Sequence, residues 1–236
     1  MLHFFRQFPL TVFVLVKQFF FNCNVTPIKA YFLFCQKIKN AMKLLNEIGW
    51  APLEFQWGVR EREIFESWAK HEVQHSKAKS DKAGRFIRIL KASPEIMKSK
   101  MMKTFDAIAV NYMNCHHDNL IMVGIQSIWA PPFSAQQVVH RDHHCGPRLA
   151  LTFGISLAEP LQTLFDTAIH YMERQPPHDA LVKRMSRTLT HQVVFDPYIR
   201  HAGPATSEAV SDPHTRIFIS YIKRCDENKM KYITKS

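Results

Sequence analysis

At 236 residues, 46% of them apolar, the chain is long enough to bury one sizeable core. Its five cysteines (Cys23, Cys35, Cys115, Cys145 and Cys225) are odd in number and never spaced Cys-x-x-Cys. That excludes a disulfide scaffold or zinc ribbon as the organising device and points to a reducing intracellular compartment. The net charge of +11 invites an anionic partner, but Arg6, Lys17, Lys29, Lys37, Lys39 and Lys43 supply about half of it before the first acid, Glu47.

Residues 1–41 read as a basic, apolar head. Its run from Phe4 to Val16 is shorter than the ~20 residues that span a bilayer, and no small-x-small cleavage site follows it. Such a head suits organellar targeting, an interfacial membrane anchor or a dispensable extension, and a packed helix of the fold is the other reading. Residues 42–236 are expected to form the folded domain, with a helical front over 42–118. Within it, Arg60 to His75 is charged on most sides and reads as an exposed helix. The basic segment 77–103 offers a surface for nucleic acid or membrane phosphate. Its few aromatics favour the plainer reading, a solvated basic helix face. Ser93-Pro94-Glu95 is a helix start, with a serine cap, proline in the first turn and an acid at the positive end. Met97, Met101, Phe105, Ile108 and Tyr112 follow at helical spacing and form one apolar stripe.

After Asn119 the period changes to that of strands. Strands are expected at 120–129, 137–140, 149–157, 192–195 and 217–222. Residues 160–165 are either a strand or the start of a helix through 168–172. A helical front and a strand-rich back half suit an α+β antiparallel sandwich with helices on one side. Its pocket is expected to draw on helix 94–112, loop 130–137 and segment 160–190.

The candidate chemistry lies in that back half. His140 and Asp142 are two residues apart at a strand end, so their side chains return to one face. His201 follows the strand 192–195 and the bend at Pro197, and precedes Gly203, where backbone or substrate can approach closely. Two histidines and a carboxylate can hold one face of an octahedral Fe(II), leaving the other face open. Arg216 opens the last strand, where its guanidinium can grip a carboxylate or make a structural salt bridge. A second triplet, His116-His117-Asp118, sits in a polar turn and reads as a solvated connection. His143, His144 and Cys145 offer a rival zinc site, though adjacent ligands strain a tetrahedral site.

In order and spacing, His140-x-Asp142, about sixty residues, His201, and about fifteen to Arg216 resemble the Fe(II)/2-oxoglutarate-dependent dioxygenase superfamily. The match covers about Leu120 to Arg224, with helices before it, as in the prolyl-hydroxylase-like and phytanoyl-CoA-hydroxylase-like branches. The resemblance implies a double-stranded β-helix (jelly-roll) core over 119–225, buttressed by N-terminal helices. It implies Fe(II) held by His140, Asp142 and His201, with 2-oxoglutarate and O2 as co-substrates and Arg216 on the distal carboxylate. The implied reaction is hydroxylation or demethylation of an organic substrate. A jelly-roll metal- or ligand-binding protein of cupin type is the alternative. Many members carry serine or threonine two residues after the arginine. Here Phe218 stands in that place and Ser220 two further on, so hydroxyl support is expected from Thr152 or Ser127. Gln126 and Arg148 are further candidates beside the co-substrate or substrate.

Overall fold

The computed structural model describes residues 27–55, 57–82, 84–143, 145–156, 161–166, 185–206 and 216–224. The described chain opens with helix α1 (Pro27–Ile48), which runs unbroken past position 41. Ile38, Ala41 and Leu45, at helical spacing, are buried in the main core. Gly49 at φ +81° takes the left-handed turn that ends the helix. Among the described residues no helix is long and apolar enough to cross a membrane.

The front is less helical than expected. Strand β1 (Trp50–Pro52) precedes helix α2 (Val59–His75). The basic segment 77–103 is not one helix face. It contains strand β2 (Lys79–Ser80), strand β3 (Phe86–Leu90), the short helix α3 (Pro94–Lys98) and the first turn of α4 (Lys100–Met113). The five residues of β3 carry two isoleucines, and Phe86 stacks on its cross-strand partner Trp129 at 5.3 Å. Such pairing overrides local charge in setting the backbone. Ser93 caps α3 as the sequence suggests. A second serine, Ser99, leaves helical geometry and accepts from Met102 N at 3.2 Å, dividing the expected single helix in two. Asn114, at φ +46°, ends α4.

Beyond the 3₁₀ turn His117–Asn119 come β4 (Leu120–Trp129), β5 (Ala150–Ser156), β6 (Leu161–Asp166), β7 (Met185–Thr190), β8 (Gln192–Phe195), β9 (His201–Ala202) and β10 (Arg216–Lys223). Residues 161–166 are therefore a strand and not a helix start. Among the described residues the strands form two antiparallel sheets, a major one ordered β1-β8-β5-β10-β4-β3-β2 and a minor one ordered β7-β6-β9. Segment 137–140 is not a strand. It makes one isolated bridge, His140 to His201, and Gln137 N donates to Gly203 O at 3.0 Å beside it.

The two-residue period of the major sheet divides core from cavity. On β10, Ile217, Ile219 and Tyr221 join Leu151, Phe153 and Ile155 of β5 in the core shared with the helices. Phe105 of α4 stacks on Phe153 at 4.3 Å. The apolar stripe of α4 thus packs on the sheet's helical face, and the helix does not line the cavity. Arg216, Phe218 and Ser220 alternate to the other face, toward the minor sheet.

Candidate metal centre and its cavity

A cavity of roughly 450 Å³ opens between the two sheets, within the range of small-molecule sites. His140, Asp142 and His201 line one side of it. One ligating atom from each lies within 4.8 Å of the others, and no other such group of three occurs among the described residues. The main chain builds this convergence. His140 N donates to His201 O at 3.0 Å and His201 N to His140 O at 2.9 Å. Asp142 N donates to Pro197 O at 2.9 Å, which turns the carboxylate back toward the two rings.

Hydrogen bonds fix both imidazoles. Nδ1 of His140 lies 2.8 Å from Val138 O, and Nδ1 of His201 lies 2.9 Å from Ile199 O. Carbonyl oxygens only accept, so both Nδ1 atoms carry the proton and both Nε2 lone pairs are free. Each Nε2 points at Asp142 Oδ1 from 3.5 Å. Two lone pairs aimed at a carboxylate oxygen repel unless a proton or a metal cation lies among them. Metal–donor bonds of about 2.1 Å at right angles place neighbouring donors about 3 Å apart, close to these separations. Two imidazole nitrogens and one carboxylate oxygen, with Nδ1–H held by carbonyls, fit a first-row divalent metal with open positions.

The electrostatics agree. Burial alone would push the Asp142 carboxyl up, but His201 and His140 together outweigh it and hold it well below the usual carboxylate range. Without a metal the position is open to a proton, and the hydrogen bond that such a proton makes to Asp142 raises the His140 imidazole. Phe195, with its ring 5.0 Å from that of His201, closes the apolar side.

The remaining candidates divide by strand face. Arg216, half-buried at the start of β10 opposite Ser156, lines the cavity. Gln126 and Thr152 line it too, on the strands flanking β10. Thr152 Oγ1 lies 3.1 Å from Ser220 Oγ, so a hydroxyl pair occupies the cavity floor. Ser127 is fully buried one residue out of phase with Gln126, and the pleat turns it to the helical face. Arg148 does not reach the cavity either. At φ +61° its side chain swings outward, Nη2 donates to Asn46 Oδ1 at 2.8 Å, and its amide donates to Asp196. His116 and Asp118 are exposed in their turn. His143 is buried beside Tyr198, and Cys145 packs near Ala150 and Ile222; the clustered ligand atoms belong to the other three residues. His144, His170, His178 and His214 lie outside the described residues.

Two residues of the site's frame escape sequence reasoning. Asp196, fully buried, accepts from Tyr112 Oη (2.8 Å), Arg148 N (2.7 Å) and Tyr198 N (2.9 Å), tying α4 to the loops behind Asp142. Arg85, only 3% exposed, sits just before β3 and lines the cavity. The alternation of Arg85, Ile87 and Ile89 against Phe86, Arg88 and Leu90 was the available signal, hidden in a segment rich in lysine.

No protein-family model and no curated protein matches the sequence. Solved structures do match the fold. AviO1 from Streptomyces viridochromogenes Tue57 shares 13% identity at a TM-score of 0.57, covering 79% of this chain and 95% of that one. The epimerase SnoN, solved with Fe3+, alpha ketoglutarate and nogalamycin RO, shares 12% identity at 0.58, covering 80% and 84%. HygX from Streptomyces hygroscopicus, solved with nickel, 2-oxoglutarate and hygromycin B, shares 8% identity at 0.57, covering 78% and 86%. The chain has the fold of these proteins, a mixed architecture of helices and antiparallel sheets.

Proposed function

We propose that the protein is an Fe(II)- and 2-oxoglutarate-dependent oxygenase acting on an organic substrate, and that its two sheets are the halves of a jelly-roll core. In this reading the catalytic unit lies within residues 42–236, and α1, which crosses position 41, adds Ile38 and Ala41 to its core. His140, Asp142 and His201 hold the metal, Arg216 takes the distal carboxylate of 2-oxoglutarate, and Thr152 and Gln126 contact it from the neighbouring strands. The observation that carries the reading is the triad, with both Nε2 lone pairs turned to one carboxylate oxygen at 3.5 Å. Similarity to proteins solved with iron or nickel and the same ketoacid supports it.

When bound, iron supplies the oxidising chemistry with O2 and the ketoacid. The chain's own share is arrangement. The carbonyls of Val138 and Ile199 keep both imidazoles in the metal-binding tautomer. Phe195 and Phe218 supply apolar wall to the cavity. Arg216 offers two parallel donors to a carboxylate. A cupin-type binding protein without turnover has no need of that second anchor. The neighbours include an epimerase and a carbocyclase, so the proposal extends to C–H oxidation as a class, with hydroxylation or demethylation as its simplest outcomes. The test is conversion of 2-oxoglutarate to succinate by protein loaded with Fe(II) under air. Slow turnover without a prime substrate, abolished in Asp142→Ala, is expected; no succinate from a fully loaded protein sinks the reading.

A further inference from the structure

The co-substrate accounts for one end of the cavity, and the wall continues past it. Arg216 opens β10, and Ser220 and Ile222 follow on the same face, about 13 and 20 Å further along the strand. Thr152 pairs with Ser220 on one side and Phe195 on the other, and the Phe195 ring stands 5.0 Å from that of His201. The metal centre therefore lies level with the Ser220 row, and a ketoacid held by Arg216 ends there. Gly124 is in that row, and Ala150 pairs with Ile222 in the next stretch of wall. Arg85 is at the Arg216 end, since it precedes Phe86, whose partner Trp129 is five residues beyond Gly124 on β4.

Glycine inside a strand weakens it, so Gly124 calls for a reason. Backbone conformation is not the reason, because Gly124 has no positive φ. Close packing is not the reason either, since among the described residues a Cβ there would meet nothing within 4 Å. The space it leaves belongs to the cavity. Its neighbour Val123 is the extra residue of a bulge, between the pairs Ser220 with Gly124 and Tyr221 with Met122. The bulge sets two adjacent residues on one cavity wall, and Val123 stays 43% exposed there. A notch over Gly124 results, with Val123 and Ile222 as its apolar sides. Charge is scarce around it. Among the described lining residues Asp142, one of the triad, is the only acid, and both arginines are at the far end. A charged group seated here would lose its water with no counter-charge of its own, whereas a hydrocarbon group gains by the same burial.

We propose that the prime substrate presents an uncharged hydrocarbon group to the metal, seated in the notch over Gly124 between Val123 and Ile222, and that Gly124 sets the width of the group admitted. The inference rests on reading the cavity as a metal and 2-oxoglutarate site. It adds the chemical class of the substrate at the reacting end and a residue that determines specificity.

The test uses the full chain loaded with Mn(II) and saturated with 2-oxoglutarate, which fills the Arg216 end without turnover. Mn(II) speeds the relaxation of nearby protons steeply with proximity, so the relaxation of a probe's protons reports binding beside the metal. Two probe series are used, benzyl and n-hexyl, each as the alcohol, the ammonium and the carboxylate. In at least one series the alcohol is expected to bind about tenfold or more tightly than either charged member. Gly124→Leu fills the notch and is expected to abolish the relaxation of that alcohol, in protein first titrated to confirm that it holds Mn(II) and 2-oxoglutarate. If the loaded wild type relaxes neither alcohol, or if a charged member matches the alcohol in both series, the proposal is overturned. An alcohol relaxed by Gly124→Leu as by the wild type overturns it too. Should Gly124→Leu fail to fold or to load, Gly124→Val carries the same test, and the charge preference of the wild type decides independently of either variant. Wild-type protein that takes up no Mn(II) or no 2-oxoglutarate overturns the metal-site reading itself, a result seen before any probe is added.

Discussion

His140 and His201 exchange both of their main-chain hydrogen bonds, at 3.0 and 2.9 Å, so their imidazoles rise side by side from a single rung with centroids 4.6 Å apart. The same local device orients each ring, a carbonyl two residues earlier in the chain, Val138 for one and Ile199 for the other. A rung and two short-range bonds therefore set the tautomer and direction of both nitrogens before any metal arrives. Preorganisation of this kind lowers the ordering entropy paid on binding.

Removing one donor tests the arrangement. His140 is half-exposed and lies outside the main core, so His140→Ala is expected to weaken Mn(II) binding by more than about a hundredfold. The metal-free thermal midpoint should move by only a few degrees, as for a surface change. Calorimetry and a melting curve on the same sample read both quantities. Metal affinity within a factor of a few of wild type would remove His140 from the ligand set.

The hydroxyl pair on the cavity floor gives a second, milder test. Thr152 and Ser220 lie opposite each other on β5 and β10, with their oxygens 3.1 Å apart. Thr152→Val keeps the shape and deletes the hydroxyl, leaving Ser220 Oγ without that partner. The 2-oxoglutarate concentration for half-maximal turnover is expected to rise about threefold to tenfold, the size of one neutral hydrogen bond. The maximal rate and Mn(II) affinity should hold, because neither oxygen belongs to the proposed ligand group.

Asp196 makes stability depend on pH. Burial pushes its carboxyl up to about 6 in the folded chain, despite three hydrogen bonds that favour the anion; the unfolded value is about 3.9. Because the folded value is the higher one, the neutral acid's contribution is complete below about pH 4 and is lost as pH rises through about 6. The step amounts to about 3 kcal/mol at most. Asp196→Asn cannot titrate, so the difference in urea midpoint between variant and wild type should shift in the variant's favour from pH 4.5 to pH 7. A constant difference across that range would place the titration elsewhere. Comparing the two proteins cancels groups that titrate in both.

How much of this was legible in the sequence follows from how local each signal is. The triad's order and the strands of the back half are carried by short-range alternation and by turn residues, and the coordinates place strands at 120–129, 192–195 and 216–223. The apolar stripe from Met101 to Tyr112 is a periodic signal within one helix, and those residues are buried. β3 is different. Its strand form depends on pairing with β4, more than thirty residues away, and in isolation its lysine-rich flanks resemble an exposed helix. Ser127 and Gln126 show the same limit at finer scale, since adjacent residues on one strand face opposite ways and only the packed sheet says which face meets the helices. Arg148 failed through its backbone, because a positive φ at a non-glycine residue has no sequence signature.

Gly203 links the histidine rung to Arg85. A Cβ at this position would run into the Arg85 guanidinium. Two of the carbonyls that Arg85 clamps belong to Gly203 itself and to Pro204. Gln137 closes the circuit, donating from its amide to Gly203 O at 3.0 Å and accepting from Gly203 N at 2.9 Å through Oε1. Gly203→Ala is therefore expected to displace the guanidinium and, through Gln137 and Gly203, disturb the rung two residues away. Mn(II) affinity should fall about tenfold, the size expected when the hydrogen-bonded frame behind a ligand is disturbed. In an Arg85→Gln background the obstacle is a shorter, more flexible side chain, so Gly203→Ala should cost little more than Arg85→Gln alone. The interaction energy between the two sites, read from the four proteins of a double-mutant cycle, should be of the same order as either single effect. Additive losses would mean that Gly203 acts through its own backbone freedom and that the contact with Arg85 carries no energy.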